Sequence, residues 1–494
     1  VAVLGPSLMN ALIAVAIVNI PFFARNVRGA TLAIAQSDYI AAAKLSGRNT
    51  FSLLLFELMP NLISVIVVAF STTVGWMILE TAGLSFLGLG SQPPQSDLGS
   101  MLGEGRAALI THPHTSLIPG IMIFAIVMGI NLLGDGIRDA LDPRLAKGAL
   151  RRALPITKID RDLPLPRTEE RGLLSVSRLK TDFQTAGKTT KAIRDVSFHI
   201  GRGECLALVG ESGSGKSVTA LSLTGLVASP PAVITGGKIL FEGTDLLSLK
   251  FEQMRDYRGK RIAYVFQDPN SSLHPLHSIC DQLIESIKVH DGSMGRRALE
   301  AKAVQLLKDV RIASPEHVMK SYPHELSGGM RQRVGIAIAL ANDPELIIAD
   351  EPTTALDVTV QAQILHILKR LQRERGLALL FISHDMNVVA QISDRIAVMY
   401  AGQIVEAGST KAVLEKPRHP YTKALLDCLP QLGKGQAMPR AINGSPPLLG
   451  DLPDGCAFAP RCSFTTPACQ NRPIDVNLIG DRSLRCIRME LDDD

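Results

Sequence analysis

Apolar residues are concentrated in the first 135 positions of the chain, where three stretches are almost free of charge. They run from Val1 to Phe23, from Leu62 to Leu79 and from Leu117 to Leu133. Each is close to the roughly 17–25 residues that cross a bilayer as a helix. Soluble domains rarely place three such stretches together, although buried core helices are the alternative. The pattern therefore predicts an all-α segment with about three membrane-spanning helices.

Basic residues flank the first and third stretches and give this segment an orientation. Positions 24–60 and 138–152 carry nine of them, Arg25, Arg28, Lys44, Arg48, Arg138, Arg144, Lys147, Arg151 and Arg152. The loop 83–116 carries a single basic residue, Arg106. The positive-inside rule then places 24–60 and everything after 135 in the cytoplasm, and 83–116 outside. We expect a multi-pass protein of the cytoplasmic membrane.

Chain length and charge narrow the class of protein further. A chain of 494 residues is too long for one compact core and predicts roughly three domains. The net charge of +5 follows largely from the residues beside the membrane stretches, and aromatic residues are only 4%. Because no basic patch is interleaved with aromatics, no nucleic-acid partner is expected. The first stretch lacks a basic start and a cleavage site, so it is not read as a secretory signal.

From Leu173 onward, short apolar runs alternate with helical segments, which predicts an α/β domain. A buried strand, 205–209, leads into the sequence Gly210-Glu-Ser-Gly-Ser-Gly-Lys-Ser217. The glycines of this loop let backbone N–H groups converge on phosphates, and they are Gly210, Gly213 and Gly215. Lys216 is expected to reach the β and γ oxygens, and the Ser217 hydroxyl to ligate Mg²⁺. The loop therefore predicts an ATP site.

A second strand, 346–349, ends in the acidic pair Asp350-Glu351. Asp350 is expected to hold the Mg²⁺ shell. Glu351 is expected to polarise the attacking water. The alternative, a solvated strand end, is disfavoured by the Pro352-Thr-Thr-Ala-Leu-Asp357 that follows. The pair therefore predicts hydrolysis as well as binding.

The octapeptide Leu-Ser-Gly-Gly-Met-Arg-Gln-Arg, residues 326–333, lies between the phosphate loop and the acidic pair. Loop, octapeptide and acidic pair in this order resemble the ATP-binding cassette (ABC) ATPases. The resemblance implies a P-loop NTPase fold with a helical subdomain. It also implies that Ser327, Gly328 and Gly329, at a helix N-terminus suited to an anion, bind the γ-phosphate held by a second ATPase subunit. Hydrolysis would then require a dimer.

Four further residues acquire roles through the same resemblance. Gln267, after the predicted third strand 264–266, would contact Mg²⁺ and the water. His384, after the fourth strand, resembles the switch histidine that contacts the γ-phosphate. Phe183 would stack on adenine, with an ordinary strand aromatic as the alternative. Asp357 would belong to the D-loop that follows the acidic pair.

The predicted cytoplasmic loop contains Asp38-Tyr-Ile-Ala-Ala-Ala-Lys-Leu-Ser-Gly47. It resembles the EAA loop of bacterial ABC importer permeases, with Ala42, Ala43 and Gly47 at the core positions. Ala41 replaces the motif's glutamate. The resemblance implies that 38–51 forms a coupling helix that docks on an ATPase. Segments 84–90, 92–94 and 131–145 resemble the C-terminal half of a dipeptide or oligopeptide permease. Such permeases usually have about six spans, so a truncated chain, or a partner that supplies the rest, is expected.

Four of the seven cysteines lie in the last forty residues, at Cys456, Cys462, Cys469 and Cys486. No CxxC occurs, which disfavours a zinc ribbon, and a cytoplasmic location disfavours disulfides. The sequence around them resembles the C-terminal extension of peptide and nickel importer ATPases. Some members bind an iron–sulfur cluster there, and four thiolates can complete a [4Fe–4S] site. Zinc and free thiols are the alternatives, and the other cysteines are expected to be inert packing residues.

These observations predict four regions: a partial permease at 1–143, a linker at 144–172, an ABC ATPase at 173–430 and a C-terminal extension at 431–494. The expected function is ATP-driven uptake of di- or oligopeptides, with ATP and Mg²⁺ as ligands. The expected partners are a second ATPase, a second permease and an extracytoplasmic solute-binding protein. Import of nickel or another small solute, a non-functional truncated fusion and a soluble ABC ATPase are the alternatives.

Overall fold

The fold is described from a computed structural model of the chain. It describes residues 5–37, 40, 43–44, 46, 48–141, 172–185, 188–354, 356–428, 441–447, 450 and 452–488. Two compact units divide between residues 152 and 153. The predicted linker 144–172 lies outside the described residues except for Gly172, and the predicted domain boundaries stay predictions.

The first unit is helical throughout its regular structure. Its α-helices are α1 (Leu8–Ala35), α2 (Met59–Phe86), α3 (Leu98–Gly105) and α4 (His114–Leu141). A turn, Thr50–Ser52, and a π-helical segment, Leu53–Leu58, lead directly into α2. Three helical segments are long and apolar enough to cross a membrane, at Leu8–Ala35, Thr50–Phe86 and His114–Ala140. The prediction of three apolar helices is therefore confirmed.

The helices are longer than the apolar stretches that predicted them. Helix α1 continues past Phe23 and carries Arg25 and Arg28 on its last turns, so the connection to α2 is shorter than the predicted loop 24–60. Pro60 lies in the first turn of α2, where the missing N–H costs nothing. Of the predicted coupling positions, Ala43 is helical, whereas Ala42 and Gly47 lie outside the described residues.

Small residues allow the helices of the first unit to approach closely. A Cβ on Gly134 of α4 would lie 2.1 Å from the Ser71 hydroxyl of α2, and one on Gly99 of α3 would lie 2.3 Å from the Ala82 carbonyl oxygen. Without a hydrophobic force between helices in lipid, such close contact is what drives their association. The carboxylate of Glu80 accepts hydrogen bonds from Asn19 of α1 (3.1 Å) and from Trp76 (2.8 Å). It is therefore tied into a helix–helix contact.

The second unit is an α/β domain built on a mixed sheet. Its strands are β1 (Leu174–Thr185), β2 (Lys188–Ile200), β3 (Cys205–Val209), β4 (Ala232–Phe241), β5 (Thr244–Asp245), β6 (Ile262–Val265), β7 (Leu346–Asp350), β8 (Ala378–Ser383), β9 (Arg395–Tyr400), β10 (Gln403–Ser409), β11 (Asn477–Ile479) and β12 (Arg482–Leu484). The sheet order is β5-β4-β1-β2-β10-β9-β3-β8-β7-β6, with β12 joining β10 to β11. Strands β9, β3, β8, β7 and β6 run parallel. The α/β prediction is confirmed.

The α-helices of the second unit lie between and after its strands. They are α5 (Lys216–Leu223), α6 (Phe251–Arg255), α7 (Pro269–Ser272), α8 (Ile279–Lys288), α9 (Arg296–Asp309), α10 (Pro315–Val318), α11 (Gly328–Ala339), α12 (Val358–Arg375), α13 (Met386–Ile392), α14 (Thr410–Glu415), α15 (Pro420–Asp427) and α16 (Pro467–Gln470). Helices α7 to α11 lie between β6 and β7 in the chain and correspond to the expected helical subdomain.

The central strand β3 shows how the sheet separates two cores. All five of its residues are buried, and alternate side chains point to opposite faces. Cys205, Ala207 and Val209 face a core shared with the helical subdomain. Leu206 and Leu208 face the other core, which includes the antiparallel strands. A continuous apolar run is typical of parallel strands that are covered on both faces, and it places the loop after β3 at the carboxyl edge of the sheet.

Candidate functional site

The phosphate loop follows β3 and precedes α5, as the sequence predicted. A Cβ on Gly210 would lie 2.2 Å from the carbonyl oxygen of Met399 on β9. Gly215 has φ +105°, in the region that favours glycine. The Ser214 hydroxyl is buried and, among the described residues, finds no hydrogen-bond partner. The loop is therefore a backbone cradle with an unsatisfied donor, which fits a phosphate chain.

Lys216 is the cation of this cradle. Its side chain is buried, and its Nζ donates to the carbonyl oxygens of Gly210 (2.8 Å) and Glu211 (3.0 Å). Burial lowers the pKa of Lys216, while the negative charges of Glu351, Asp350 and Glu211 oppose the change. A poorly solvated ammonium gains more from phosphate oxygens than from neutral carbonyls. Lys216 is thus placed to bind a triphosphate.

Asp350, at the end of β7, joins the cradle to the next strand. Ser217 donates to its Oδ1 at 3.0 Å, and the Tyr264 hydroxyl of β6 donates to its Oδ2 at 2.8 Å. Burial raises the pKa of the Asp350 carboxyl, and these two hydrogen bonds oppose the rise. Hydroxyl and carboxylate oxygens are the ligands that Mg²⁺ prefers, together with substrate phosphates. The pair Ser217 and Asp350 therefore fits a magnesium ion beside the phosphate loop.

Glu351 follows Asp350 directly, and three polar groups converge on one oxygen of its carboxylate. Its Oε2 accepts hydrogen bonds from Gln267 Nε2 (3.0 Å) and Thr354 Oγ1 (2.9 Å). The Nδ1 of His384 lies 3.3 Å from the same oxygen. The structure thus brings together the three residues predicted to be catalytic. A carboxylate held in this way has the geometry to orient a water and accept its proton.

The backbone at Glu351 is strained. Its φ is +46°, in the left-handed region that non-glycine residues rarely adopt. The Glu351 amide donates to the Ile382 carbonyl of β8 at 3.0 Å, which holds this conformation in place. Strain of this kind costs about 1–3 kcal/mol and clusters at functional sites. Here it lies at the residue on which Gln267, Thr354 and His384 converge.

The signature residues start α11 and pack on α12. Ser327 is the N-cap, with its hydroxyl accepting from the Met330 amide at 3.3 Å. A Cβ on Gly329 would lie 2.6 Å from Val360 on α12, the helix that Asp357 caps. The signature residues are thus held in place by the packing of α11 on α12.

Phe183 lies on β1, where it pairs with Thr190 of β2 and Ala232 of β4. Two residues beyond Thr190, the Ala192 carbonyl oxygen lies 3.0 Å from where a Gly215 Cβ would be. Phe183 is therefore on the hairpin that flanks the phosphate loop. Its role in stacking on adenine stays a prediction.

Three family models match the chain. A binding-protein-dependent transport system inner membrane component matches residues 1–147. An ABC transporter model matches residues 193–354. The C-terminal region of oligopeptide and dipeptide transporters matches residues 405–469. The three matches follow the same order as the predicted regions.

Individual relatives are similar over the second unit. A putative peptide import ATP-binding protein of Brucella melitensis is 48% identical over 330 residues, which cover 64% of this chain and 97% of the relative. The oligopeptide transport ATP-binding protein OppD of Bacillus subtilis is 50% identical over 59% of this chain and 82% of the relative. A probable D,D-dipeptide transport ATP-binding protein of Escherichia coli is 46% identical over 64% of this chain and 95% of the relative. The chain belongs to the ABC transporter family. Its second unit contains an ABC ATPase domain that binds and hydrolyses ATP.

Sequence reasoning missed two residues of this ABC ATPase site. Tyr264 holds Asp350, and Thr354 holds Glu351. Both lie in segments that carry predicted site residues. Tyr264, on β6, is three residues before Gln267, and Thr354 lies between Pro352 and Asp357. Strand β6 ends at Val265, one residue earlier than predicted. This leaves Phe266 and Gln267 on the loop beyond the strand.

The four C-terminal cysteines of this ABC protein are neighbours in the fold. The Cys456 amide donates to the Cys469 carbonyl at 2.7 Å. Burial, together with the charges that Cys486 and Cys462 would carry, raises the pKa of Cys456 to about 11, and backbone hydrogen bonds from Phe458 and Ala459 oppose the rise. Backbone N–H groups approach the thiols of Cys456, Cys462 and Cys486. All seven cysteines are free thiols in the structure.

The described residues contain no ready-made site for a single metal ion. Within the described residues, no group of three or more His, Cys, Asp or Glu side chains is arranged to hold a metal ion. The magnesium site relies on Ser217 and Asp350 together with phosphate oxygens.

His419 gives this ABC protein a sensitivity to acid. It is 1% exposed, its Nδ1 accepts from the Tyr421 amide at 3.1 Å, and its ring packs against Phe458. Burial lowers its pKa to about 3, whereas an unfolded histidine titrates near 6.5. As the pH falls through 6.5 the unfolded state gains a proton and the folded state does not. We expect His419 to cost about 2 kcal/mol of stability between pH 7 and pH 5.

The His419→Asn variant tests this expectation, because asparagine can still cap α15 and does not titrate. Melting temperatures are measured for the full chain at pH 7 and pH 5. The melting temperature of the variant should fall less from pH 7 to pH 5 than that of the unsubstituted chain. The control His317→Asn, at an exposed histidine, should show the same fall in melting temperature as the unsubstituted chain. Equal losses in all three proteins would contradict the assignment.

Proposed function

We propose that this chain is the ATP-hydrolysing subunit, and part of the permease, of an importer for di- or oligopeptides in the cytoplasmic membrane. The observation that carries the proposal is the convergence of Gln267, Thr354 and His384 on Glu351 beside the phosphate loop. The same chain matches an inner membrane transport component. The matched relatives are named as peptide import, oligopeptide transport and dipeptide transport ATP-binding proteins, which supports peptides as the solute.

In the proposed mechanism, Lys216 neutralises the β and γ oxygens of ATP, and Ser217 and Asp350 would hold Mg²⁺. Bound Mg²⁺ would supply charge neutralisation at the phosphates. Glu351 accepts the proton of the attacking water, while Gln267 and His384 hold that water and the γ-phosphate in line. The main contribution of the protein is positioning and electrostatic stabilisation. Ser327, Gly328 and Gly329 act on the nucleotide of a second ATPase, so that hydrolysis requires a dimer.

The membrane part of the proposal concerns partners and topology. The segment 38–51, with Ala42, Ala43 and Gly47, is proposed to serve as the coupling element that transmits ATPase closure to the spans. A second ATPase, a second permease and an extracytoplasmic solute-binding protein complete the importer. The regions 1–143, 144–172, 173–430 and 431–494 are the proposed domains, with the ATPase in the cytoplasm. The basic residues on the last turns of α1 and in its connection to α2 support this orientation.

Peptide-dependent ATP hydrolysis in membranes is the direct test. The chain is expressed in its bacterial host, and membranes are assayed with a mixture of di- to pentapeptides and, separately, with Ni²⁺. We expect the chain in the membrane fraction and ATP hydrolysis that rises with peptides and not with Ni²⁺. Active chain in the soluble fraction would contradict the transport proposal. Stimulation by Ni²⁺ alone would contradict the peptide assignment.

We further propose that Cys456, Cys462, Cys469 and Cys486 bind a [4Fe–4S] cluster. The donor set consists of four thiols with backbone N–H groups directed at three of them, and such N–H groups favour the thiolate form and tune a cluster.

Anaerobic purification tests the cluster. The protein should be brown, absorb at roughly 400 nm and contain about four irons and four sulfides per chain. Cys486→Ser should lower the iron content, whereas Cys280→Ser, a cysteine of the helical subdomain, should leave it unchanged. A colourless protein without iron, purified under strictly anaerobic conditions, would refute the proposal.

A further inference from the structure

The C-terminal extension reaches the phosphate loop through one arginine. Arg461 lies one residue before Cys462, and its guanidinium forms two hydrogen bonds with the carboxylate of Glu211, at 2.7 and 3.0 Å. Glu211 is the second residue of the phosphate loop. The two residues are 250 positions apart in the chain. The ion pair therefore joins the cysteine-containing extension directly to the ATP site.

The surroundings of Arg461 fix its geometry. Its side chain is only 5% exposed. Its Nη1 also donates to the Tyr400 hydroxyl (3.2 Å), and its Nε to the Asn443 carbonyl (3.1 Å). Its guanidinium lies 5.9 Å from the ring centre of Phe458. A bidentate pair made by a buried guanidinium cannot be reproduced by a lysine.

Glu211 is held at its backbone as well as at its side chain. Its amide donates to the Tyr421 hydroxyl at 2.8 Å, and its carbonyl accepts from Lys216 Nζ at 3.0 Å. The extension and α15 thus hold the residue whose carbonyl positions the phosphate-binding lysine. Removal of one partner from a buried ion pair leaves an uncompensated charge and displaces its surroundings.

We propose that Arg461 is a positioning residue for ATP binding, through which the cysteine-containing extension sets the geometry of the phosphate loop. The inference rests on the proposed function of the ATP site and goes beyond it. Loss of Arg461 weakens binding of MgATP, whereas catalysis by the nucleotide-bound protein is retained. A change in the Cys462 region is transmitted to the phosphate loop by the same ion pair.

The test compares matched arginines of the extension in the full chain, purified in detergent. Arg461→Gln should weaken MgATP binding about tenfold, as expected for a charged hydrogen-bonded pair, and raise KM more than it lowers kcat. Arg461→Lys should show a similar loss. Arg485→Gln removes another arginine of the extension, one that pairs with the carboxylate of Asp195 on β2 at 2.7 Å. This control should lower the melting temperature and leave the affinity for MgATP unchanged.

Two double variants keep the proposal falsifiable if single variants are unstable. Exchange of the charges, Arg461→Glu with Glu211→Arg, should recover part of the lost affinity. Cys462→Ser should weaken MgATP binding in the chain that has Arg461 and add no further loss in Arg461→Gln. The inference would be overturned if the unsubstituted chain binds MgATP and Arg461→Gln binds it with the same affinity. It would also be overturned if Arg485→Gln loses as much affinity for MgATP as Arg461→Gln. Failure of the unsubstituted chain to bind MgATP would instead refute the proposed function.

Discussion

Glu351→Gln is expected to reduce ATP turnover by about 10²–10⁴-fold, the contribution of a positioned general base. Glutamine has nearly the same shape, so the hydrogen bonds from Gln267 and Thr354 can be kept in altered form. What is lost is the ability to accept a proton from water. The negative charge beside Asp350 is also lost, which removes repulsion from the triphosphate. Binding of MgATP is therefore expected to be retained or strengthened.

Single-turnover hydrolysis and equilibrium binding of MgATP separate these two effects. The predicted result is slow hydrolysis with undiminished affinity and an ATP-bound dimer that persists in size-exclusion chromatography. Glu316→Gln, at an exposed carboxylate on α10, is the control and should behave like the unsubstituted chain. Retention of full turnover in Glu351→Gln would show that another group takes the proton.

Gly210→Ala is expected to abolish useful ATP binding, with an affinity at least about 100-fold lower. The added Cβ would lie 2.2 Å from the Met399 carbonyl oxygen and 2.9 Å from the Ser214 hydroxyl. The first of these atoms belongs to the backbone of a buried strand and cannot move cheaply. The loop must shift instead, which displaces the carbonyl groups that hold Lys216. A cost in stability of about 1–3 kcal/mol is also expected from the overpacking.

Gly335→Ala is the matched control for this substitution. Gly335 lies inside α11, and no atom beyond its own helix neighbourhood lies within 4 Å of an added Cβ. Alanine is favoured over glycine in a helix interior by about 0.5–1 kcal/mol. The control should therefore raise the melting temperature slightly and leave MgATP binding unchanged. Normal binding in Gly210→Ala would mean that the loop tolerates the displacement.

The sequence predicts a helix best where the evidence lies within one continuous segment of the chain. Each long apolar stretch predicted a helix, because about twenty apolar residues have few alternatives to a membrane span. The helix ends were less well predicted, since α1 continues through Arg25 and Arg28 to Ala35. Charged residues do not stop a helix, and they only mark where it leaves the apolar layer.

The chemistry of the ATP site was predictable because its motifs are short and contiguous. The glycines around Lys216 and the acidic pair at Asp350 determine by themselves that the chain binds and hydrolyses a nucleotide. Only the tertiary structure decided which groups hold those residues. Tyr264 reaches Asp350 across 86 positions, and Arg461 reaches Glu211 across 250. The spacing of such partners in the sequence carries no signal, because their contact arises from the order of strands in the sheet and the packing of the extension behind it.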